Sequence, residues 1–316
     1  MKGLKLQQTN NYLTVREAFK EYQRYNELRN LAEQTLIHKE QHIKSFFEFI
    51  DDDNYLIKDV NKKLVDAYNY RLKNSDIKAV TVNTYLRNLR AFINWSADNN
   101  YVEKFKITML KVDEEIKETY SEGQLKVLIE KPEIKSCSFV EYRSWVLVNY
   151  LLSTGNRLGT IINLKIDDID FDNEMVSMRT VKNHKQQIIP LSHTVCEILK
   201  EYLSYRKGEL DDYLFINTYG GQLTKGAFEK SIERYNTDRG VNITSIHAFR
   251  HSFAKMYVKN GGDVFRLQKL LGHSDISITR IYVNLFANDI KENYEKFNPL
   301  DTLLSSNKKE HVKMKR

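Results

Sequence analysis

The stretch VEYRSWVLVNYLLSTGNRLG, residues 140–159, decides how this chain is read. Its first part, Val140–Thr154, is predominantly apolar and long enough for about four helical turns, which reads as a buried helix. Gly155 ends it, as glycine commonly does just past a helix C-terminus. Arg157 follows, between this glycine break and a new apolar run. An arginine beside a helix start is well placed to hold a phosphate, because its planar fork and the exposed N–H groups both favour an anion. A surface salt bridge would explain one arginine equally well, so the reading depends on what the rest of the chain supplies.

Outward from that stretch, the chain has three prolines and twelve glycines among 316 residues, which argues for long helices over a turn-rich β fold. From about 12 to 100 the pattern is helical. In TLIHKEQHIKSFFEFI (35–50), Leu36, Ile43, Phe46, Phe47 and Ile50 recur at helical spacing, and His38, Lys39, Gln41 and Lys44 take the other faces. In VTVNTYLRNLRAFINWSA (80–97), Val82, Leu86, Leu89 and Ile93 point inward, while Asn83, Arg87, Arg90 and Asn94 form the opposite stripe. The stretch 103–118 is charged, lacks a clear period and reads as a linker. After it, Ser121 and Gln124 of SEGQ have the spacing of a capping box, so a second domain starts near 119.

Within the second domain, EMVSMRTVKNHKQQIIPL (174–191) carries two β-type runs around the polar link KNHKQQ, a short antiparallel hairpin. After Thr194 the helical pattern resumes and is expected to continue to about 297. The fold expected is therefore mainly α: a helical bundle over 12–102, a linker, and a larger α-rich domain over 119–300 with a small antiparallel sheet. A short tail (1–11) precedes them and a basic tail (301–316) follows.

Composition narrows the function less sharply. No run of about 18 apolar residues marks a membrane span, and the N-terminus MKGLKLQQTN lacks the apolar core of a secretory signal. The expected location is the cytoplasm. Cys137 and Cys196 show no CxxC spacing and read as free thiols. The net charge of +7 suits a polyanionic partner. Over half of that excess sits in the last residues, where Lys308, Lys309, Lys313, Lys315 and Arg316 face only Glu310.

The candidates for chemistry follow in chain order. Lys182 and Lys185 lie in the hairpin link, where a lysine usually just keeps a turn soluble. HAFRH (247–251) sets His247 and Arg250 at i, i+3, on one helix face, where they could grip one phosphate. LLGHSDISITRIY (270–282) adds His273 and Tyr282. Each is unremarkable alone. In this order and at these separations, Arg157, Lys182, His247, Arg250, His273 and Tyr282 resemble the active-site signature of the tyrosine recombinase (phage integrase) family. The N-terminal helices look like that family's SAM-like core-binding domain. The resemblance spans about residues 12–300. It departs at Thr160, where the family usually carries an acidic residue that supports the first arginine.

The resemblance implies that Tyr282 attacks a DNA phosphodiester. A phenol with an ordinary pKa near 10 is a weak nucleophile at neutral pH, and the phosphate repels incoming negative charge. Arg157 and Arg250 would clamp the non-bridging oxygens and bind more tightly as charge builds in the transition state. His247 and His273 would donate hydrogen bonds to the same oxygens, and His247 would assist removal of the phenolic proton. Lys182, with Lys185 as the alternative, would protonate the departing 5′-oxygen. The 3′-phosphotyrosine product conserves the bond energy for rejoining, so no cofactor, ATP or metal is implied. The sequence agrees: there is no GxxxxGK[ST] loop, and the acidic runs at 51–53 and 167–170 read as solvated turns rather than a two-metal site.

In that setting Lys39, Lys44, Asn83, Arg87 and Arg90 become candidate DNA contacts, since two basic domains can clamp a duplex between them. The resemblance further implies double-stranded recombination sites as substrate and a homotetramer on two synapsed duplexes. In that assembly the segment after Tyr282 would reach the neighbouring subunit, and accessory DNA-bending proteins would be partners. With few residues before 12, a two-domain enzyme is expected, like the Xer recombinases or compact integrases and transposases of mobile elements. The rival reading is a catalytically silent DNA-binding protein of the same fold. A type IB topoisomerase-like enzyme shares the chemistry but is disfavoured by the recombinase-like N-terminal domain.

Overall fold

The computed structural model describes residues 13–112, 118–179, 186–273, 275, 276, 279, 298–300 and 303. The chain divides into two compact units, 1–115 and 116–316. The architecture is mainly α with one small antiparallel sheet, as the sequence pattern indicates. Among the described residues no helix is long and apolar enough to cross a membrane.

The first unit is built from α1 (Val15–Leu28), α2 (Glu33–Ile50), α3 (Lys62–Lys73) and α4 (Ala79–Asp98). Thr14 and Glu17 close a capping box at the start of α1, satisfying helix N–H groups that have no intrahelical partner. Helix α4 buries Val82, Leu86, Leu89 and Ile93 as its periodicity requires, and Phe92 with them. These side chains meet Phe19 and Tyr22 of α1, Ile43 and Phe46 of α2, and Val65 and Tyr68 of α3 in one core.

The charged stretch after α4 is not a free linker over its described part. Ile107 is buried in the first unit's core, and Phe105, Met109 and Leu110 pack against it. Asn69 donates to the Thr108 carbonyl at 3.0 Å. Asn83 donates to the Leu110 carbonyl and accepts from the Leu110 N–H, both at 2.9 Å. Residues 103–112 form no helix or strand of their own, and so carry no period, but they are fastened to the unit by these side chains.

The second unit begins with α5 (Glu122–Ile129), whose Ser121–Gln124 capping box is formed. Helix α6 (Phe139–Thr154) follows, buried along most of its length, and ends at Gly155 in the left-handed conformation (φ +60°). After the short helix α7 (Leu158–Ile161) come β1 (Ile169–Asp170), β2 (Met175–Met178) and β3 (Gln187–Pro190). They form an antiparallel sheet in the order β1-β2-β3, with Met178 opposite Gln187 where the hairpin leads into its link. Helices α8 (His193–Arg206), α9 (Lys225–Asp238), α10 (Ile246–Lys259) and α11 (Val264–Leu271) complete the described unit.

The helical run expected from 194 to 297 is therefore interrupted. Residues 207–224 contain isolated β-bridges, Lys165 with Tyr213 and Ile216 with Gln222, in place of a helix. Lys207 and Gly208 both have positive φ (55° and 124°), which stops α8 there.

Candidate active site

The site grows from two glycine turns. Gly155 ends α6, and a Cβ added there would lie 2.5 Å from Phe253 of α10 and 3.0 Å from Leu271 of α11. Positive φ and this close approach together require glycine. Gly272 ends α11, also left-handed at φ +61°, and sets His273 immediately beyond the helix. The two turns thus bring the start of α7 and the end of α11 next to α10.

Arg250 joins them. Its side chain is buried, with the residue 5% exposed. Nη1 donates to the Gly155 carbonyl at 2.8 Å, and Nη2 donates to the Leu271 carbonyl at 2.7 Å. Nη2 also lies 2.7 Å from Nε2 of His273. Arg157, the residue before α7, donates to the Gly272 carbonyl at 3.3 Å. Carbonyls on both glycine turns thus aim the two guanidinium groups, and a carbonyl carries no formal charge to cancel theirs.

His247 and Arg250 lie one turn apart on α10, and His247 is exposed. Partial enclosure, then the charges of Arg250, Lys225 and Arg157, hold the His247 imidazole below its ordinary value, and Glu229 opposes them. Burial and then the Arg250 and Arg157 guanidiniums hold the partly buried His273 at about 4. Both imidazoles are accordingly neutral near pH 7.

Of the sequence candidates, Arg157, Arg250 and His273 are brought together, and His247 lies within the field of the same cations. Tyr282, Lys182 and Lys185 lie outside the described residues. The strand leading out of the lysine-bearing link nevertheless reaches the site. Gln187 of β3 donates through Nε2 to the carbonyls of Lys269 and Leu270, the latter at 3.0 Å, and so fastens the hairpin to the end of α11. Thr160 is buried on α7 and lines a small cavity with Asn163, Asp168 and Arg179.

Two contacts escaped the sequence reading. Gln187 falls in the polar link by its sequence and begins β3 in the structure, and nothing in its neighbourhood marks it. Thr279 is buried (0% exposed), and its Oγ1 lies 2.9 Å from Nδ1 of His273. A buried hydroxyl six residues past the histidine was the available clue, but polarity alone does not reveal burial.

In the first unit, Arg87, Arg90 and Lys44 are exposed. Lys44 lies 3.9 Å from Glu48. Lys39 is partly buried, donates to the Tyr22 hydroxyl at 2.7 Å and sits over its ring. Asn83 departs from the expected outward stripe. It is 5% exposed, and Leu110 takes both ends of its amide. The segment after α4 covers this face of the helix, so Asn83 is an internal fastener where a groove contact was expected.

Comparison with known proteins places the chain. Residues 119–289 match the phage integrase family and residues 14–113 match the phage integrase SAM-like domain. The chain belongs to the tyrosine recombinase (phage integrase) family. It is 29% identical to tyrosine recombinase XerD of Staphylococcus haemolyticus over 230 residues, covering 70% of this chain and 77% of that protein. It is 25% identical to XerD of Staphylococcus epidermidis over 283 residues, covering 86% and 94%. Among solved structures it is similar to the Tn1549 transposon integrase in complex with circular intermediate DNA, with TM-score 0.67, 21% identity, and 85% and 95% of the two chains covered. It is also similar to the XerH recombinase bound to a palindromic difH substrate, with TM-score 0.65, 23% identity, and 85% and 80% covered. At these identities the likeness to solved structures is one of fold.

Proposed function

We propose that this protein is a site-specific DNA recombinase that cuts and rejoins double-stranded DNA through a 3′-phosphotyrosine at Tyr282. The observation that carries this reading is the convergence of Arg157, Arg250 and His273 on the Gly155 and Gly272 turns, with the Arg250 guanidinium buried and held by backbone carbonyls. Such a pair of guanidiniums suits the non-bridging oxygens of a phosphodiester. It stabilises most strongly the trigonal-bipyramidal state, where those oxygens carry the most charge. His247 at the exposed end of the same cluster would take the Tyr282 proton, for which a neutral imidazole at pH 7 is the required form. Lys182, or Lys185, would protonate the 5′-oxygen as it leaves. The hairpin's fastening to α11 through Gln187 supports placing that lysine near the same phosphate.

The exposed cations of the first unit, Arg87, Arg90 and Lys44, with Lys39 beside them, would hold the duplex by its phosphates and supply salt-dependent affinity. Action as a tetramer on two synapsed sites, with the C-terminal segment reaching a neighbour, completes the reading. The role this chemistry would serve is integration, excision or transposition of a mobile element, or resolution of the Xer type.

The test is covalent trapping on nicked suicide substrates that carry candidate sites from the DNA flanking the gene. Wild type is expected to give a protein–DNA adduct on denaturing gels and Tyr282→Phe none. An adduct formed by the phenylalanine variant would move the chemistry to another tyrosine. Tight binding with no adduct from either protein would make this a DNA-binding member of the family without catalysis.

A further inference from the structure

His273 and its neighbours raise a conflict that points to a new role for Thr279. Arginine has only donors, so the 2.7 Å contact between Arg250 Nη2 and His273 Nε2 requires Nε2 to be the acceptor. The ring's one proton then sits on Nδ1, and Nδ1–H donates to Thr279 Oγ1 at 2.9 Å. In the proposed reaction, however, His273 must donate to a phosphate oxygen, and Nε2 is the nitrogen that faces Arg250 and the site. The tautomer that these two contacts require is the wrong one for that task.

A hydroxyl can accept or donate with its oxygen in place by rotating about its C–O bond, whereas a carboxylate only accepts and a methyl group does neither. We propose that Thr279 is the positioning residue that lets His273 exchange ring tautomers. In the free protein its oxygen accepts from Nδ1–H; when a phosphate arrives, its O–H turns to donate to Nδ1, and Nε2–H faces a phosphate oxygen. The exchange balances simply: the ring releases the Nδ1 proton to solvent and takes one at Nε2, so its charge is unchanged. The Arg250 Nη2 N–H that met Nε2 then takes the phosphate oxygen as its acceptor, and the other Nη2 N–H keeps the Leu271 carbonyl.

The surroundings favour exchange over simple protonation. The charged or titratable groups acting on His273 are Arg250 and His251 from α10 and Arg157 from the start of α7. These surroundings oppose a second ring proton in the free protein. The bond from the His273 N–H to the Gln268 carbonyl (3.1 Å) and that from Gln268 Nε2 to the His273 carbonyl (3.1 Å) hold the backbone, so the change involves the ring protons, the Thr279 rotor and the acceptor of one Arg250 N–H.

This inference rests on the recombinase reading, and the experiment separates the two. Single-turnover cleavage of a suicide substrate would be measured for wild type, Thr279→Val, Thr279→Ser, His273→Ala and the Thr279→Val/His273→Ala pair. Valine keeps the shape and removes the hydroxyl, so cleavage should fall roughly ten- to a hundredfold with DNA affinity held within about twofold. Serine should restore most of the rate. In the His273→Ala background the valine change should cost nothing further, because the two residues act as one unit. Valine cleaving like wild type, or adding its full loss on top of His273→Ala, would overturn the proposal. Imidazole nitrogen NMR supplies the second arm, with the His273 signals assigned by their loss in His273→Gln. Protonation at Nδ1 in the free protein and at Nε2 in the DNA complex is expected. The Nε2 form already present without DNA, or a doubly protonated ring in the complex, would also overturn it. Failure of wild type itself to cleave would reject the recombinase function, and the tautomer in the free protein would still decide the Thr279 contact.

Discussion

Arg87 and Arg90 of the first unit stand in solvent on α4, whereas Arg250 of the second is buried, with its guanidinium held by Gly155, Leu271 and His273. The two kinds of arginine suit different tasks. An exposed guanidinium is hydrated and free to adjust, so it adds affinity for a phosphate chain in small, salt-screened steps. A buried one is oriented before substrate arrives, and its field acts through protein rather than water, so it can favour a transition state. Losses should therefore be graded in the first unit and steep in the second.

The steepest expected loss is at Arg250. Arg250→Lys keeps the charge but gives up the fork that reaches two carbonyls and a histidine at once. Single-turnover cleavage should fall by about a hundredfold to a thousandfold while DNA affinity changes far less. A lysine variant that cleaves within a few-fold of wild type would erase the contrast between the units.

Asn83 tests the contrast from the other side, since it lies on the α4 stripe with Arg87 and Arg90 yet is buried. Asn83→Ala removes both bonds to Leu110 and leaves that backbone pair to find other partners. The first unit should lose about 1–3 kcal/mol of stability in urea unfolding, with the salt dependence of DNA binding unaltered. Arg87→Ala should do the reverse: stability kept, affinity lowered uniformly across DNA sequences, and the log–log salt slope reduced by about one. If Asn83→Ala lowers the salt slope and leaves stability intact, Asn83 is a DNA contact after all.

The smallest effect concerns pH. Unfolded His273 takes up a proton near its ordinary value of 6.5, but the folded residue does so only near 4. Between those values the unfolded chain binds more protons, so stability falls as pH drops from about 6.5 towards 4. His247 is shifted in the same direction. Urea midpoints at pH 7.5 and 5.0 should converge partly when His273→Gln is compared with wild type. An equal pH response in the two proteins would show that His273 is not held in its neutral form.

Local patterning determined a good deal of this molecule. Val82, Leu86, Leu89 and Ile93 share a face because 3.6 residues make a turn, and all four are buried. Gly155 ends α6 because glycine tolerates positive φ, and the Ser121–Gln124 spacing suffices for a capping box. The i, i+3 spacing likewise sets His247 and Arg250 one turn apart on α10 before any tertiary contact is made. Asn83 shows where such reasoning stops. By spacing it belongs with Arg87 and Arg90, but a segment 27 residues later covers it, and helical periodicity carries no information about what will pack on a face.

The same limit applies to 207–224, where positive φ at Lys207 and Gly208, a bridge from Tyr213 to the distant Lys165 and a local one between Ile216 and Gln222 replaced the expected helix. It applies most of all to the site. Arg250 meets Gly155 across 95 residues of sequence and Arg157 meets Gly272 across 115. The sequence alone supplied the side chains, their order and the glycines that make the turns. Only the tertiary structure decided which carbonyls aim each guanidinium, that Thr279 backs His273, and that Asn83 faces inward. Those contacts depend on packing between distant segments, for which a chain read residue by residue has no local signal.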